Sequence, residues 1–153
     1  MAATVGRASL PHMGGGRKHR GEAVILTTLS ANGFPHHSFV AEDEWQRTDE
    51  ETIADAVTAS SRTARNLDER RIGTLLFLDP DEVRTAFLRL KGRPGVMAAD
   101  SSRRRYVFRI RAEVVASTPP GEIARLDRTF SYTRWQGSQE ADRRKRVKEE
   151  LSR

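Results

Sequence analysis

The chain has 153 residues and a net charge of +6, with 37% hydrophobic and 31% charged residues and no cysteine. That length suits one domain with a core of its own, and the missing cysteines exclude disulfides, thiolate chemistry and cysteine-based metal sites. The basic balance favours anionic partners, but the arginines are dispersed and form no nucleic-acid-binding module, and no run approaches the roughly 18 apolar residues of a membrane span.

Residues 1–20 read as a flexible N-terminal arm. They hold no apolar h-region, so no signal peptide is expected, and a cytoplasmic location fits. The run GGGRKHRG is glycine-rich and basic. A phosphate loop would need a strand before it, and nothing before Gly14 reads as one. Order is expected from EAVILTTL, residues 22–29, a β-rich apolar run. Asn32-Gly33 then signals a hairpin in which both central residues take positive φ, and PHHSFVA is the second strand. EDEWQRTDEE reads as a polar loop or weak edge strand, and TIADAVTA, residues 52–59, as a third strand.

Ser60 or Ser61 is a good N-cap for a helix over Arg62 to Glu69, with Leu67 as its core anchor. IGTLLFL, residues 72–78, reads as a buried strand, and DPDE turns the chain. In VRTAFLRLKG, Ala86, Leu88 and Leu90 share one face. In RYVFRIRAEVVAS the alternation places Tyr106, Phe108, Ile110, Ala112 and Val114 inward, with Arg109, Arg111 and Glu113 outward. Residues 137–153 read as a charged C-terminal helix or tail. Val147 and Leu151 are its larger apolar groups, so it is expected to add little to the core. The domain proper is placed at residues 21–136. Six strands, one hairpin and a short helix argue a mainly β protein built as an antiparallel barrel.

Metal chemistry finds no support. His36 and His37 are adjacent on a strand and point to opposite faces, and His12 and His19 lie in the arm. No nucleophile elbow is present, and the carboxylates of EDEW and DEE fall in polar loops. No residue stands out as a catalytic acid or base. The segment TASSRTARNL is different. Thr58, Ser60, Ser61, Thr63 and Arg62 gather at a predicted helix start, where unpaired N–H groups and partial positive charge suit a phosphate. Arg62 adds a possible charge-assisted contact. On spacing alone the same residues also read as a capped helix with an exposed arginine.

The order AVILTTLSANGFPHHSFV, SSRTARNLDERRIGTLLFLDPD, YVFRIRAEVVAST resembles the FMN-binding split β-barrel proteins related to pyridoxamine 5'-phosphate oxidase. The motifs that carry it are Thr27-Thr28, Gly33-Phe34-Pro35 and Ser61-Arg62-Thr63-Ala64-Arg65-Asn66-Leu67, within residues 22–117. The resemblance implies a six-stranded antiparallel split barrel with short helices that dimerises, with each flavin lying between two barrels. It implies cofactor contacts at His37, Ser38, Phe39 and Val40 on the second strand, at Val57, Thr58, Ser61, Arg62 and Thr63 around the turn, and at Asn66 behind it. The true oxidase usually carries Arg where this chain has Ser38 and Lys where it has Thr63, so the resemblance is to the family and not to that enzyme. Arg134-Trp135 faintly echoes the oxidase's substrate motif. The function implied is an FMN-dependent oxidoreductase taking electrons from a nicotinamide nucleotide or another small molecule. A deazaflavin-dependent reductase of the same fold is one alternative. A non-enzymatic protein binding flavin, or binding nucleic acid through its basic tail, is another.

Overall fold

The computed structural model describes residues 17–79, 82–117 and 131–153. The first sixteen residues of the arm, most of the DPDE turn's centre and the mixed stretch after Gly121 lie outside them. The elements are β1 (Arg17–Leu29), β2 (Pro35–Ala41), β3 (Trp45–Asp49), β4 (Thr52–Thr58), α1 (Arg62–Arg70), β5 (Ile72–Leu78), β6 (Glu82–Val96), β7 (Arg103–Ser117), β8 (Ser131–Gln136) and α2 (Ser138–Leu151). The sheet is antiparallel, in the order β2-β1-β5-β6-β7-β4-β3, and β8 pairs with the first part of β1. The described strands number eight against six expected. The additions are β3, foreseen only as a weak edge, and β8.

β1 starts at Arg17, inside the expected arm, because residues 17–22 pair with Gln136 to Ser131. A strand edge supplied from so far along the chain leaves no local signal. The β1–β2 hairpin also differs from expectation. Gly33 alone in the loop takes positive φ, at 84°. Its N–H donates to the Ser30 carbonyl at 2.9 Å, and the Ser30 N–H donates to the Phe34 carbonyl at 2.9 Å. This is the three-residue loop with a glycine bulge, in place of the two-residue turn.

The barrel interior is apolar. Val24, Leu26, Ile53, Val57, Leu67, Leu75, Ala86, Leu88, Tyr106 and Phe108 form one buried cluster. α1 packs against β1 and β4 and sends Ala64 and Leu67 into that cluster, as the helix period predicts. Its Ser61 N-cap accepts a hydrogen bond from the Ala64 N–H at 3.0 Å.

One correction concerns β7. Its pairing with β6 slips between Phe87 and Leu88: Phe87 faces Ala112 and Leu88 faces Ile110, which leaves Arg111 as the extra residue. A bulge reverses face parity. Tyr106 and Phe108 are buried as expected, but Ala112 and Val114 point outward and are exposed, while Glu113 turns to pair with Arg47 at 2.9 Å.

A second correction concerns the tail. α2 is docked. Val147 and Leu151 are buried in a cluster with Ala54, Ala56 and Met97. β4 is therefore covered on both faces, with Ile53 and Val57 toward the barrel and Ala54 and Ala56 toward α2. The Glu150 carboxylate accepts the N–H groups of Ala98 and Ala99 at 3.0 and 2.8 Å. Arg144 reaches Asp43 and Glu44, each at 3.3 Å. Two apolar side chains suffice because alanines opposite them let the helix approach closely.

Candidate functional site

β2, β4 and the start of α1 converge on a cavity of about 190 Å³ at the barrel's rim. Strand parity sets its walls. Ser38 lies on the inner face of β2, paired with Leu26. The Ser38 hydroxyl donates to the Leu26 carbonyl at 3.3 Å and accepts from the Thr63 hydroxyl at 3.2 Å. Val40 is buried beside it, and Phe39 on the outer face is 69% exposed at the cavity mouth. Val57 and Thr58 end β4, and Ser61 and Thr63 bring the first turn of α1 to the same cavity.

Three other expected residues do not line it. His37 faces outward, and its Nδ1 meets the Thr27 hydroxyl at 2.9 Å. Arg62 is exposed at the first helical position. Asn66 is buried one turn further along, where its amide donates to the Thr28 hydroxyl at 2.9 Å. Asn66 thus fixes the helix to β1, and with it the height of the helix start.

Sequence reasoning missed the charged floor. Asp55, Glu44 and Arg103 also line the cavity. All three arms of Arg103 are committed: to the Ala56 carbonyl at 2.8 Å, to Glu44 at 2.7 Å and to Asp100 at 3.4 Å. The second oxygen of Glu44 accepts the Ala41 N–H at 3.0 Å. Asp55 is 1% exposed, and neither of its carboxyl oxygens has a hydrogen-bond partner among the described residues. Burial first, and then the Glu44 carboxylate, push its pKa up to about 8, against the opposing pulls of Arg103 and of the nearby Ala56 N–H. The signal was present in the strand TIADAV, where an acid shares the inner face with Ile53 and Val57.

A larger cavity, about 280 Å³, lies by Trp45, Phe77, Arg47 and Arg84. It holds none of the expected residues, and its arginines are paired, Arg47 with Glu113 and Arg84 with Glu82 at 2.7 Å. No cluster of metal-ligating side chains occurs among the described residues. No helix among them is long and apolar enough to cross a membrane.

Residues 18–141 match the family model described as pyridoxamine 5'-phosphate oxidase. No curated protein sequence matches the chain. Among solved structures, an FMN-binding protein from Syntrophomonas wolfei subsp. wolfei is similar at TM-score 0.53 and 16% identity, over 62% of this chain and 77% of that one. A putative flavin reductase from Haemophilus somnus 129PT gives 0.52 and 8%, over 76% and 92%. A structure titled F420 reductase gives 0.52 and 15%, over 62% and 90%. At these identities the likenesses concern the fold.

Proposed function

The chain belongs to the pyridoxamine 5'-phosphate oxidase family, and on that premise we propose that it binds an FMN-type flavin and serves as an oxidoreductase other than the oxidase itself. One observation carries the reading: Ser38, Phe39, Val40, Val57, Thr58, Ser61 and Thr63, from three separate elements, wall one cavity. Its chemistry suits a phosphate. The first-turn N–H groups of Arg62 and Thr63 have no partner inside α1, and the helix start carries partial positive charge. Ser61 accepts from Ala64 and keeps its own O–H to give.

A cavity of about 190 Å³ is too small for a whole flavin. The phosphate enters it, and the ring lies outside against Phe39. The ring's other wall comes from a second copy of the chain. The outer sheet face supports that arrangement. In register, Phe39, Ile25, Leu76, Thr85 and Val114 form one row across β2, β1, β5, β6 and β7. Phe87 stands in the next row, and Phe39, Phe87 and Val114 are each more than 40% exposed. A monomer would leave this apolar face to water. When bound, the flavin supplies the electron transfer. The chain's own residues bind the phosphate, orient the ring and exclude water. A nicotinamide nucleotide is the proposed electron donor, and the cytoplasm the proposed location.

A deazaflavin is the second reading. The structure titled F420 reductase shares the fold, and Arg62 and Arg65 stand exposed on α1, where a longer anionic tail would pass. The visible spectrum of the purified protein separates the two. The site itself is tested with Ser61→Ala, Arg62→Ala. The Ser61 hydroxyl supplies one charge-assisted hydrogen bond, about 1.5–3 kcal/mol, and Arg62, exposed outside the cavity, only a screened attraction, so FMN affinity should fall by roughly ten- to a hundredfold. Riboflavin, which lacks the phosphate, should bind as it does to the parent. Equal weakening of both ligands would place the damage in the fold. No weakening would make these residues a helix cap and a surface arginine.

A further inference from the structure

The family resemblance leads one to expect two basic groups, at positions 38 and 63, to neutralise a phosphate. Here those positions are Ser38 and Thr63, hydrogen-bonded to each other at 3.2 Å. The remaining cation on the wall, Arg103, already has each of its three nitrogens on a protein oxygen, two of them carboxylates that offset its charge. The cavity instead contains an acid. Asp55 is buried, and neither of its oxygens has a hydrogen-bond partner among the described residues. A buried carboxylate without partners is costly, and a neutral carboxylic acid is the form such a site favours. A neutral acid has one O–H to donate.

We propose that Asp55 binds the ligand's phosphate-class oxyanion as a neutral acid, donating its O–H to an oxyanion oxygen, so that the cavity holds the anion only while this carboxyl keeps its proton. This rests on the reading of the cavity as a flavin phosphate site. The donor set is then complete without a lysine: the Asp55 O–H, the Ser61 O–H and the first-turn N–H groups of α1. An ionised Asp55 would repel the same phosphate, so the protonation state of one side chain gates the site.

The surroundings of Asp55 are consistent with this. β1 presents apolar Val24 and Leu26 with Thr28, and β2 presents Ser38 and, two residues away, His36. α1 presents Thr63. From β7 come Arg103 and Tyr106, the latter turned away to donate to Asp68 at 3.0 Å. The turn before β3 brings Glu44, backed by Arg144 and Asp43. Asp100 and Arg143 stand behind Arg103. The N–H of Ala56, next to Asp55, is spent on the Glu44 carbonyl at 2.7 Å. Burial and Glu44 push the Asp55 pKa up to about 8, so the acid is neutral at neutral pH before any ligand arrives.

The test is calorimetric titration of FMN and riboflavin into the full chain and its Asp55→Asn variant, from about pH 7 to about pH 9.5. The FMN phosphate, with a second pKa near 6, stays dianionic throughout. Wild-type FMN affinity should fall towards about tenfold per pH unit at the alkaline end, and riboflavin affinity should not. Asp55→Asn, which keeps the shape and an N–H donor, should bind FMN with a flat profile. Infrared spectra should show a protonated carboxyl band near neutral pH that shifts on labelling with ¹³C-aspartate and is absent from Asp55→Asn. No such band, or the same pH profile in both proteins, overturns the proposal and leaves Asp55 a core group satisfied by buried water. An equal pH slope for riboflavin also overturns it, because the proton then belongs to the ring or the fold. Failure of both ligands to bind at every pH is a different result: it removes the flavin reading, and this proposal with it.

Discussion

Truncating Leu151 to alanine tests whether the C-terminal helix is part of the folded core. Leu151 is fully buried, and its cluster consists of Ala54, Ala56, Met97 and Val147. Burying or losing a leucine here involves transfer free energy and a cavity term, together about 2–5 kcal/mol. Two of the neighbours are alanines on β4, which have no side-chain freedom with which to fill a void. The cost should therefore fall in the upper part of that range, about 3–5 kcal/mol. For a chain of this size each kcal/mol shifts Tm by about 2–4 °C, so a drop of roughly 6–20 °C is expected. Urea unfolding at fixed protein concentration should show a lower midpoint with an unchanged slope. Lys145→Ala, on the exposed face of the same helix, is the control and should stay within about 0.5 kcal/mol. A loss below about 1 kcal/mol for Leu151→Ala would refute the reasoning, because a solvated helix end has nothing to lose.

Two further outcomes follow from the same geometry. Val114→Glu places a charge in the outer apolar row between Thr85 and solvent, and light scattering should show the proposed dimer converted to monomer with the fold intact; an unchanged mass would move the interface elsewhere. Asp55 has a folded pKa raised to about 8 from an ordinary 3.8. The stability this group confers is complete below the ordinary value and is lost as pH rises to the folded one. Relative to Asp55→Asn, the wild type should thus lose about 1.4 kcal/mol per pH unit between those limits and be level outside them. Parallel stability curves for the two proteins would show that Asp55 titrates normally.

What was legible in the sequence was local. Ser61, the apolar position Leu67 and the hydroxyl-rich turn specify α1 within a dozen residues, and the helix forms where expected. The run of β4 announces a buried strand for the same reason, whereas β5 forms where expected but buries only Leu75, because its other face belongs to the outer side of the sheet. What was not legible depends on partners far along the chain. The bulge at Arg111 is set by how β7 must follow β6 around the barrel, and no residue at that point marks it. Alternation therefore assigned Ala112 and Val114 to the wrong face, and concealed the apolar row they help to build. α2 has only two buried side chains four residues apart, which is weak periodicity. Its docking is explained by Ala54 and Ala56, some ninety residues earlier. The site divides in the same way. Ser38, Ser61 and Thr63 were found from motif order, whereas Arg103 and Glu44 reach the cavity only through the β4–β7 pairing and the turn before β3.

The docked tail reaches the cavity floor. Arg144 of α2 binds Glu44, Glu44 binds Arg103, and Arg103 holds the Ala56 carbonyl beside Asp55. Each ion in this chain is partly buried, so each is costly to leave alone. Removing Arg144 would leave Glu44 with more uncompensated charge, and Glu44 is the neighbour that, after burial, does most to keep Asp55 protonated. The helix that looked like a solvated tail therefore helps set the charge of the pocket. Arg144→Ala should therefore shift the charge balance around Asp55 while leaving Val147 and Leu151 in place. The helix thus carries few apolar residues because one of its arginines, Arg144, is spent on Glu44 at the cavity floor, and Val147 and Leu151 are enough to hold it there.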